Sequence, residues 1–392
     1  MDNLAKLQEV CGIGTSRLRQ EYKAAAGLRL NIITAGRYGS GVSEVIGRVN
    51  GYFNELGLCS NWENITASDE FFTLSKKITN ALCFSYETVS DAELKRFALF
   101  SRELDFDVCG YDALYLNDHL GLIAAEYSPA KKIYRCHFDI SGANRKIWEF
   151  FKPYIESCDA IIFTHPSFHK ELKGNIFYIP PSIDPCTVKN TLVPRDEALK
   201  VLKEFQIPTD KPIITQVGRF DKTKDPFGVI DAFRFVRAQI PCSLVLAGGH
   251  AREDTDSRAS FDALQKYAAG DADIFILAID KQDYKIAALQ SVSDVIVQKS
   301  LSESFGLAIT EALWKARPVV ASDVGGIPLQ IKHDKTGLLC RDAKTCAAAL
   351  LEILQSPALA RRLGKNGHEY VREHFLISAE LEKHLDIFKC IT

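Results

Sequence analysis

Short runs of β-branched and other apolar residues recur along the chain. Each is followed by a longer stretch whose apolar positions repeat at helical spacing. This alternation predicts parallel β–α–β units, since a parallel strand is covered on both faces and needs a crossover helix. The first half shows candidate strands at Leu28–Ala35, Ala113–Leu116, Lys132–Cys136, Ala160–Thr164 and Ile176–Ile179. The second shows them at Pro212–Val217, Ser243–Ala247, Ile274–Leu277, Asp294–Val297 and Pro318–Ala321. Helical spacing fills the intervals at Val42–Leu56, Arg145–Ser157, Pro226–Ala238 and Gly306–Lys315, and three further helical segments close the chain: Lys344–Leu354, Leu359–Glu373 and Ser378–Phe388. Between the halves, Pro180, Pro181, Pro185 and Pro194 crowd into YIPPSIDPCTVKNTLVPRD, where consecutive prolines favour an extended linker. The pattern predicts an α/β protein of two doubly wound parallel-sheet domains, 1–185 and 186–375, facing a central cleft. In such sheets ligands sit at the carboxyl ends of the strands.

Composition narrows the function. At roughly 150 residues per domain, 392 residues allow two or three domains. An apolar fraction of 46% with 25% charged residues is that of a globular protein with a sizeable core. The balance of 48 Lys+Arg against 50 Asp+Glu argues against a nucleic-acid partner, which needs a basic excess to displace counterions. No apolar run approaches the ~18 residues that span a bilayer, and MDNLAKLQEVCGIG lacks the basic start and apolar core of a signal peptide. The eleven cysteines include no C-x-x-C pair, which disfavours both a zinc site and a disulfide framework. Reduced thiols in a cytoplasmic protein that needs no cofactor and no metal are the expectation. Oligomeric state is left open, a homodimer included.

Four segments carry residues suited to chemistry. In AGRYGSGVSEV, Gly39, Ser40 and Gly41 lie between the first strand and a helix, where free N–H groups and the positive dipole end suit a phosphate. The spacing is neither G-x-G-x-x-G nor a P-loop, which disfavours dehydrogenases and P-loop enzymes. In QVGRFDKTKDP, Arg219 and Lys224 stand five apart at a strand end and could clamp a diphosphate. In KSLSESFGLAITEALWKARPVVASDVGG, Glu303 and Glu311 stand eight apart. Ser302 or Ser304 is expected to cap a helix starting at Phe305 or Gly306. The amides of Phe305, Gly306 and Leu307 would then face an anion, with Glu311 about two turns in, able to accept bonds from vicinal hydroxyls. In YRCHFDISGANRKIWEFF, His137 could hydrogen-bond a sugar hydroxyl or act as acid or base, flanked by Arg135 and Asp139. Each segment alone also fits an ordinary loop, turn or solvated helix face.

Together they resemble the retaining glycosyltransferases of family 4. The features that carry the resemblance are the glycine turn, the R-x-x-x-x-K, and S-x-S-E-S-F-G-L-x-x-x-E-A followed by P-V-V-A-S-D-V-G-G. Within that family EFFTLSKKITNAL, YRCHFDISGANRKIWEFF and IPPSIDP are similar to the trehalose glycosyltransferring synthases. The resemblance implies a GT-B fold, with residues 376–392 as a helix crossing back to the first domain. It implies that Gly41, Arg219 and Lys224 hold the diphosphate of a UDP-, ADP- or GDP-glucose donor, that Glu311 holds its ribose, and that the base rests on backbone near Ile279–Lys281. Glu303 would lie against the transferred sugar and His137 near its 6-position. Phe72, Lys76, Arg135 and Asp139 would face a small sugar acceptor. Three positions depart from the family pattern: Ser40 and Ala316 stand where glycine is usual, and Thr79 where histidine is common.

The implied activity is transfer of glucose from a nucleotide-diphosphate glucose to a free sugar, glucose itself giving trehalose. Three alternatives share the scaffold: the same donor with another small acceptor, trehalose phosphorolysis, and an inactive nucleotide-sugar sensor.

Overall fold

A computed structural model of the chain describes residues 2–12, 14–35, 41–249, 255–279 and 282–392. The chain forms two compact units: Met1–Pro181 together with Ile377–Thr392, and Ser182–Leu376.

Unit 1 is a six-stranded sheet of order β2-β1-β3-β4-β5-β6. Its strands are β1 Arg29–Thr34, β2 Cys59–Asn64, β3 Ala113–Asn117, β4 Lys131–Arg135, β5 Ala160–Phe163 and β6 Ile176–Tyr178. Unit 2 has the order β12-β11-β10-β7-β8-β9. Its strands are β7 Ile213–Val217, β8 Ser243–Gly248, β9 Ile274–Ala278, β10 Val295–Gln298, β11 Val319–Ser322 and β12 Leu338–Cys340. All of the pairings are parallel.

Two strands, β2 and β12, escape the hydrophobic pattern, and both lie on sheet edges. The β2 sequence CSNWEN is almost wholly polar because no residue of the strand is fully buried. β12 spans only three residues.

Alternation along the central strands covers both faces of each sheet. In unit 2, Leu244 and Leu246 pack with Val229, Phe233, Leu350 and Ile353, from helices Pro226–Arg237 and Ala343–Gln355. Val245 and Ala247 face the other way, against Ala198, Leu202, Ile286 and Leu289 of helices Arg195–Glu204 and Asp283–Val292. In unit 1, Leu114, Leu116 and Tyr134 share a core with Phe71, Ile78, Phe97 and Phe151.

The opposite face of the unit 1 sheet receives the C-terminal helix Ile377–Ile391. Tyr22 donates its hydroxyl to Leu381 O (2.7 Å), and the Phe53 ring packs edge-on against Phe388 at 5.1 Å. Arg135 belongs to this contact and not to an acceptor site. It is 1% exposed, and its guanidinium donates to Glu380 Oε1 at 2.6 Å and to the Tyr115 hydroxyl at 3.2 Å. Arg135 is the last residue of β4 and points under the sheet, while His137 lies beyond the strand end, where the pleat no longer sets its direction. No helix among the described residues is long and apolar enough to cross a membrane.

Candidate active site

In unit 2 the strand order reverses between β7 and β10, and loops leaving a sheet at such a switch point diverge and leave room for a ligand. The loop after β7 makes a tight turn at Lys222–Lys224, capped by the Asp221 carboxylate on the amides of Thr223 (2.9 Å) and Lys224 (3.2 Å). Asp225 follows in the left-handed region (φ 45) and caps helix Pro226–Arg237 through the amide of Gly228. The loop after β10 joins it through the amide of Leu301, which donates to Thr223 O at 2.7 Å.

Two ion pairs follow from that junction, Lys224 with Glu303 and Lys299 with Asp225. Sequence reasoning named Lys224 and Glu303 separately, and the fold brings them into direct contact. Lys299, which it missed, sits immediately after an apolar strand, and that placement was the available signal. Arg219 is exposed and pairs with Asp221 at 3.1 Å, leaving it free to turn toward a ligand.

The Glu303 loop is held by the glycines of SDVGG. The Gly326 amide donates to Glu303 O at 3.0 Å. A Cβ on Gly325 would lie 1.9 Å from that oxygen, and one on Gly326 would lie 2.1 Å from Ser304 O. Any side chain there would push the loop off the sheet edge, so the trailing glycines are part of what places Glu303.

The helix start differs from expectation. Helix Leu307–Trp314 begins after Gly306, whose φ of 90 favours glycine, and no side chain among the described residues caps it. Neither Ser302 nor Ser304 does so. The Phe305 carbonyl accepts from Gln330 Nε2 (2.5 Å) and the Ile309 amide donates to Gly306 O (2.9 Å), which leaves the amides of Leu307 and Ala308 to face an anion. Glu311 lies little more than one turn in, not two, and is 1% exposed and paired with Lys189 at 2.8 Å. It occupies neither a solvated face nor an unpartnered position. Lys189, in the proline-rich linker, carried no signal in the sequence. Ile279 is buried, and its amide is used by Gly248 O at 2.8 Å. Asp280 and Lys281 lie outside the described residues.

Unit 1 has its own switch point, between β1 and β3. Helix Gly41–Glu55 starts there, with Gly41 as its first residue, while Gly39 and Ser40 lie outside the described residues. β3 ends in Asn117-Asp118-His119, a polar triad closing an apolar strand that sequence reasoning passed over. Asp118 adopts φ 60, and its carboxylate accepts the His137 amide at 2.9 Å. Loss of solvent around the carboxyl raises its pKa to about 7, against the lowering effect of that bond and of Arg135.

Asn117 Oδ1 lies 2.8 Å from His137 Nε2, and its Nδ2 donates to Ile33 O at 3.0 Å. The second bond fixes the amide orientation, so His137 Nε2 carries the hydrogen. Burial holds the ring's pKa well below the usual histidine range, with Arg135 acting in the same direction. His137 is therefore neutral, its N–H is spent on Asn117, and Nδ1 remains as an acceptor. This corrects the expectation of an acid or a donor to sugar hydroxyls. His119 is neutral as well: burial drops it to about 3, and Nε2 meets Ser75 Oγ at 3.1 Å.

Among the other acceptor-side candidates, Phe72 is half-buried against Phe71. Lys76 is exposed on helix Asp69–Cys83. Asp139 Oδ1 accepts from the amide (2.9 Å) and hydroxyl (2.5 Å) of Ser141.

Comparison with known proteins places these features. Residues 32–170 match the model described as trehalose synthase, N-terminal domain, and residues 199–370 match glycosyl transferases group 1. The chain is 33% identical over 386 residues to the trehalose synthase of Pyrococcus horikoshii, covering 96% of this chain and 93% of that one. It is 35% identical over 401 residues to that of Rubrobacter xylanophilus, covering 98% and 92%. The chain belongs to the trehalose synthase family of group 1 glycosyltransferases.

As a member of that family it is a hexosyltransferase, and its two parallel-sheet units are those of the GT-B fold. Trehalose-6-phosphate synthase OtsA superposes with a TM-score of 0.72 at 14% identity, over 92% of this chain and 99% of that one. Sucrose-phosphate synthase from Thermosynechococcus elongatus gives 0.69 at 21%, over 92% and 98%.

Proposed function

We propose that this glycosyltransferase moves glucose from a nucleoside-diphosphate glucose to free glucose, forming trehalose with retention at the anomeric carbon. The observation that carries the reading is the Lys224–Glu303 contact at the unit 2 switch point, beside the amides of Leu307 and Ala308 and the exposed Arg219. A lysine and an arginine there suit a diphosphate, and amides at a helix start add to the same field.

In this reading Lys224 and Arg219 neutralise the departing diphosphate, and Glu303 is released from Lys224 to accept hydroxyls of the transferred sugar. The bond between the anomeric carbon and the phosphate oxygen breaks, and the acceptor oxygen bonds to that carbon on the same face. The acceptor proton passes to the leaving phosphate oxygen, so atoms and charge balance without an added acid. His137 Nδ1 accepts a sugar hydroxyl, and the Asp118 carboxylate, once ionised, accepts another from the acceptor. Glu311 receives the ribose hydroxyls.

A matrix of UDP-, ADP- and GDP-glucose against free sugars, with product linkage and anomeric configuration read by NMR, tests this. The expected product is α,α-linked trehalose from one donor and glucose. Two control arms use maltose alone and trehalose with inorganic phosphate. Trehalose made from maltose with no nucleotide, or release of glucose 1-phosphate as the dominant reaction, would replace the proposed transfer.

A further inference from the structure

Glu311 raises a physical problem. A carboxylate 1% exposed is costly unless a partner compensates it. On its own helix the nearest cation is Lys315, but that ammonium is directed to Gln290 Oε1 (2.9 Å) and to the main-chain oxygen of Glu311 (3.3 Å). Gln290 Nε2 lies 3.5 Å from Glu311 Oε2, at the limit of a hydrogen bond. The compensating group comes from elsewhere: Lys189, at 2.8 Å from Oε1, on the turn Val188–Asn190.

That turn is rigidly built. Asn190 Nδ2 donates to Asp184 O (2.9 Å) and to Thr187 Oγ1 (3.1 Å), and Thr191 Oγ1 donates to Thr187 O (3.1 Å). A little further on, the Val193 amide donates to Ser291 Oγ at 3.1 Å, tying the segment to helix Asp283–Val292. Lys189 thus reaches Glu311 from a fixed base and not as a wandering surface lysine.

We infer that Lys189 is a positioning residue for the ribose of the donor. Its ammonium pairs with Glu311 and fixes Oε1, leaving Oε2 with its acceptor capacity nearly unfilled. A carboxylate has about four acceptor sites, and the protein fills one of them well. A vicinal diol offers two O–H donors at adjacent carbons, which matches what remains. The same turn holds a further buried acceptor, Asn190 Oδ1, with no hydrogen-bond partner among the described residues. Acceptor capacity in excess of the protein's own donors favours a ligand rich in hydroxyls. The segment would accordingly select a ribonucleotide over its 2′-deoxy counterpart.

This inference rests on the donor reading above, and the experiment separates the two. Calorimetric titrations of UDP or ADP, whichever binds the wild type more tightly, of its 2′-deoxy analogue and of inorganic pyrophosphate are made on wild type, Lys189→Met and Lys189→Arg. Losing one charge-assisted contact should weaken the ribonucleotide about tenfold in Lys189→Met. The deoxy analogue should change far less, so the preference collapses, with pyrophosphate unchanged and Lys189→Arg close to wild type. A Lys189→Met protein that keeps the full ribose preference overturns the role of Lys189 and leaves the donor reading standing. Parallel loss of pyrophosphate binding also overturns it, since the residue would then support the whole loop. A wild type that binds no nucleoside diphosphate overturns both.

Discussion

The two units share a sheet architecture and differ in how their switch points are charged. Unit 2 gathers charges in pairs: Lys224 with Glu303, Lys299 with Asp225, and Lys189 with Glu311 of the helix that follows the Glu303 loop. Unit 1 gathers polar groups that are neutral or only partly ionised near pH 7. His137 and His119 are depressed by burial, Asn117 orients His137, and Asp118 is raised to about 7. Fixed charges in a partly dry site favour a charged ligand, while neutral donors and acceptors suit hydroxyls. The contrast teaches that one scaffold is specialised by the protonation of a few groups at strand ends, not by its overall charge.

The most direct way to break this contrast is Lys224→Ala. Removing a principal stabiliser of the leaving group should lower turnover by about a thousandfold, with cooperative unfolding retained. Initial rates and a thermal melt on the same preparation check it, and a rate above a tenth of wild type would remove Lys224 from the diphosphate site.

Arg135→Met addresses the buried ion pair of unit 1, Arg135 with Glu380, which serves the fold. Removing the guanidinium that faces the buried Glu380 carboxylate should cost about 3–5 kcal/mol, read as a lowered urea midpoint. The acceptor KM of the folded enzyme should hold, and Arg135→Met with Glu380→Met should recover part of the loss. A raised acceptor KM with unchanged stability would return Arg135 to the acceptor side.

Asp118→Asn sharpens the neutral character of unit 1. Wild-type kcat/KM for the acceptor should fall as pH drops through about 7, because the carboxyl is protonated below its folded pKa. The amide should lower kcat/KM about a hundredfold above that pH and flatten the limb. Linkage adds a sign. With the folded pKa above the unfolded value, ionisation of Asp118 disfavours the fold increasingly as pH rises from about 4 to 7. The variant should therefore gain stability relative to wild type across that range, measured by melts at several pH values.

The smallest effect expected is from Ala316→Gly. Ala316 is held at φ 54, a conformation that costs a residue with a Cβ about 1 kcal/mol or more. Glycine should raise stability by about 1 kcal/mol without altering rates. No gain in the urea midpoint would mean that the helix end relaxes around alanine at no cost.

Much of this molecule was legible from the chain itself. Ten of the twelve strands follow from apolar runs: eight are central and covered on both faces, and the edge strands β6 and β9 keep an apolar run as well. The other two edges, β2 and β12, were not legible, the first because CSNWEN is polar and the second because it is only three residues long. Arg219, Lys224, Glu303 and Glu311 stood out through spacing within one motif. Asn117-Asp118-His119 did not, because its meaning depends on His137, which arrives from the next strand in the sheet.

Sequence alone determined the α/β class, the family and the residue types available for chemistry, since periodicity and motif spacing are local. Tertiary structure decided which charges meet. Lys224 and Glu303 lie 79 positions apart and touch because β7 and β10 are sheet neighbours. Lys189 reaches Glu311 from a linker that carries no motif. Arg135 and His137 stand two apart, yet one became structural and the other lines the carboxyl edge. The end of β4 at Arg135 and the docking of a helix some 240 residues later settled that division, through contacts no local pattern encodes.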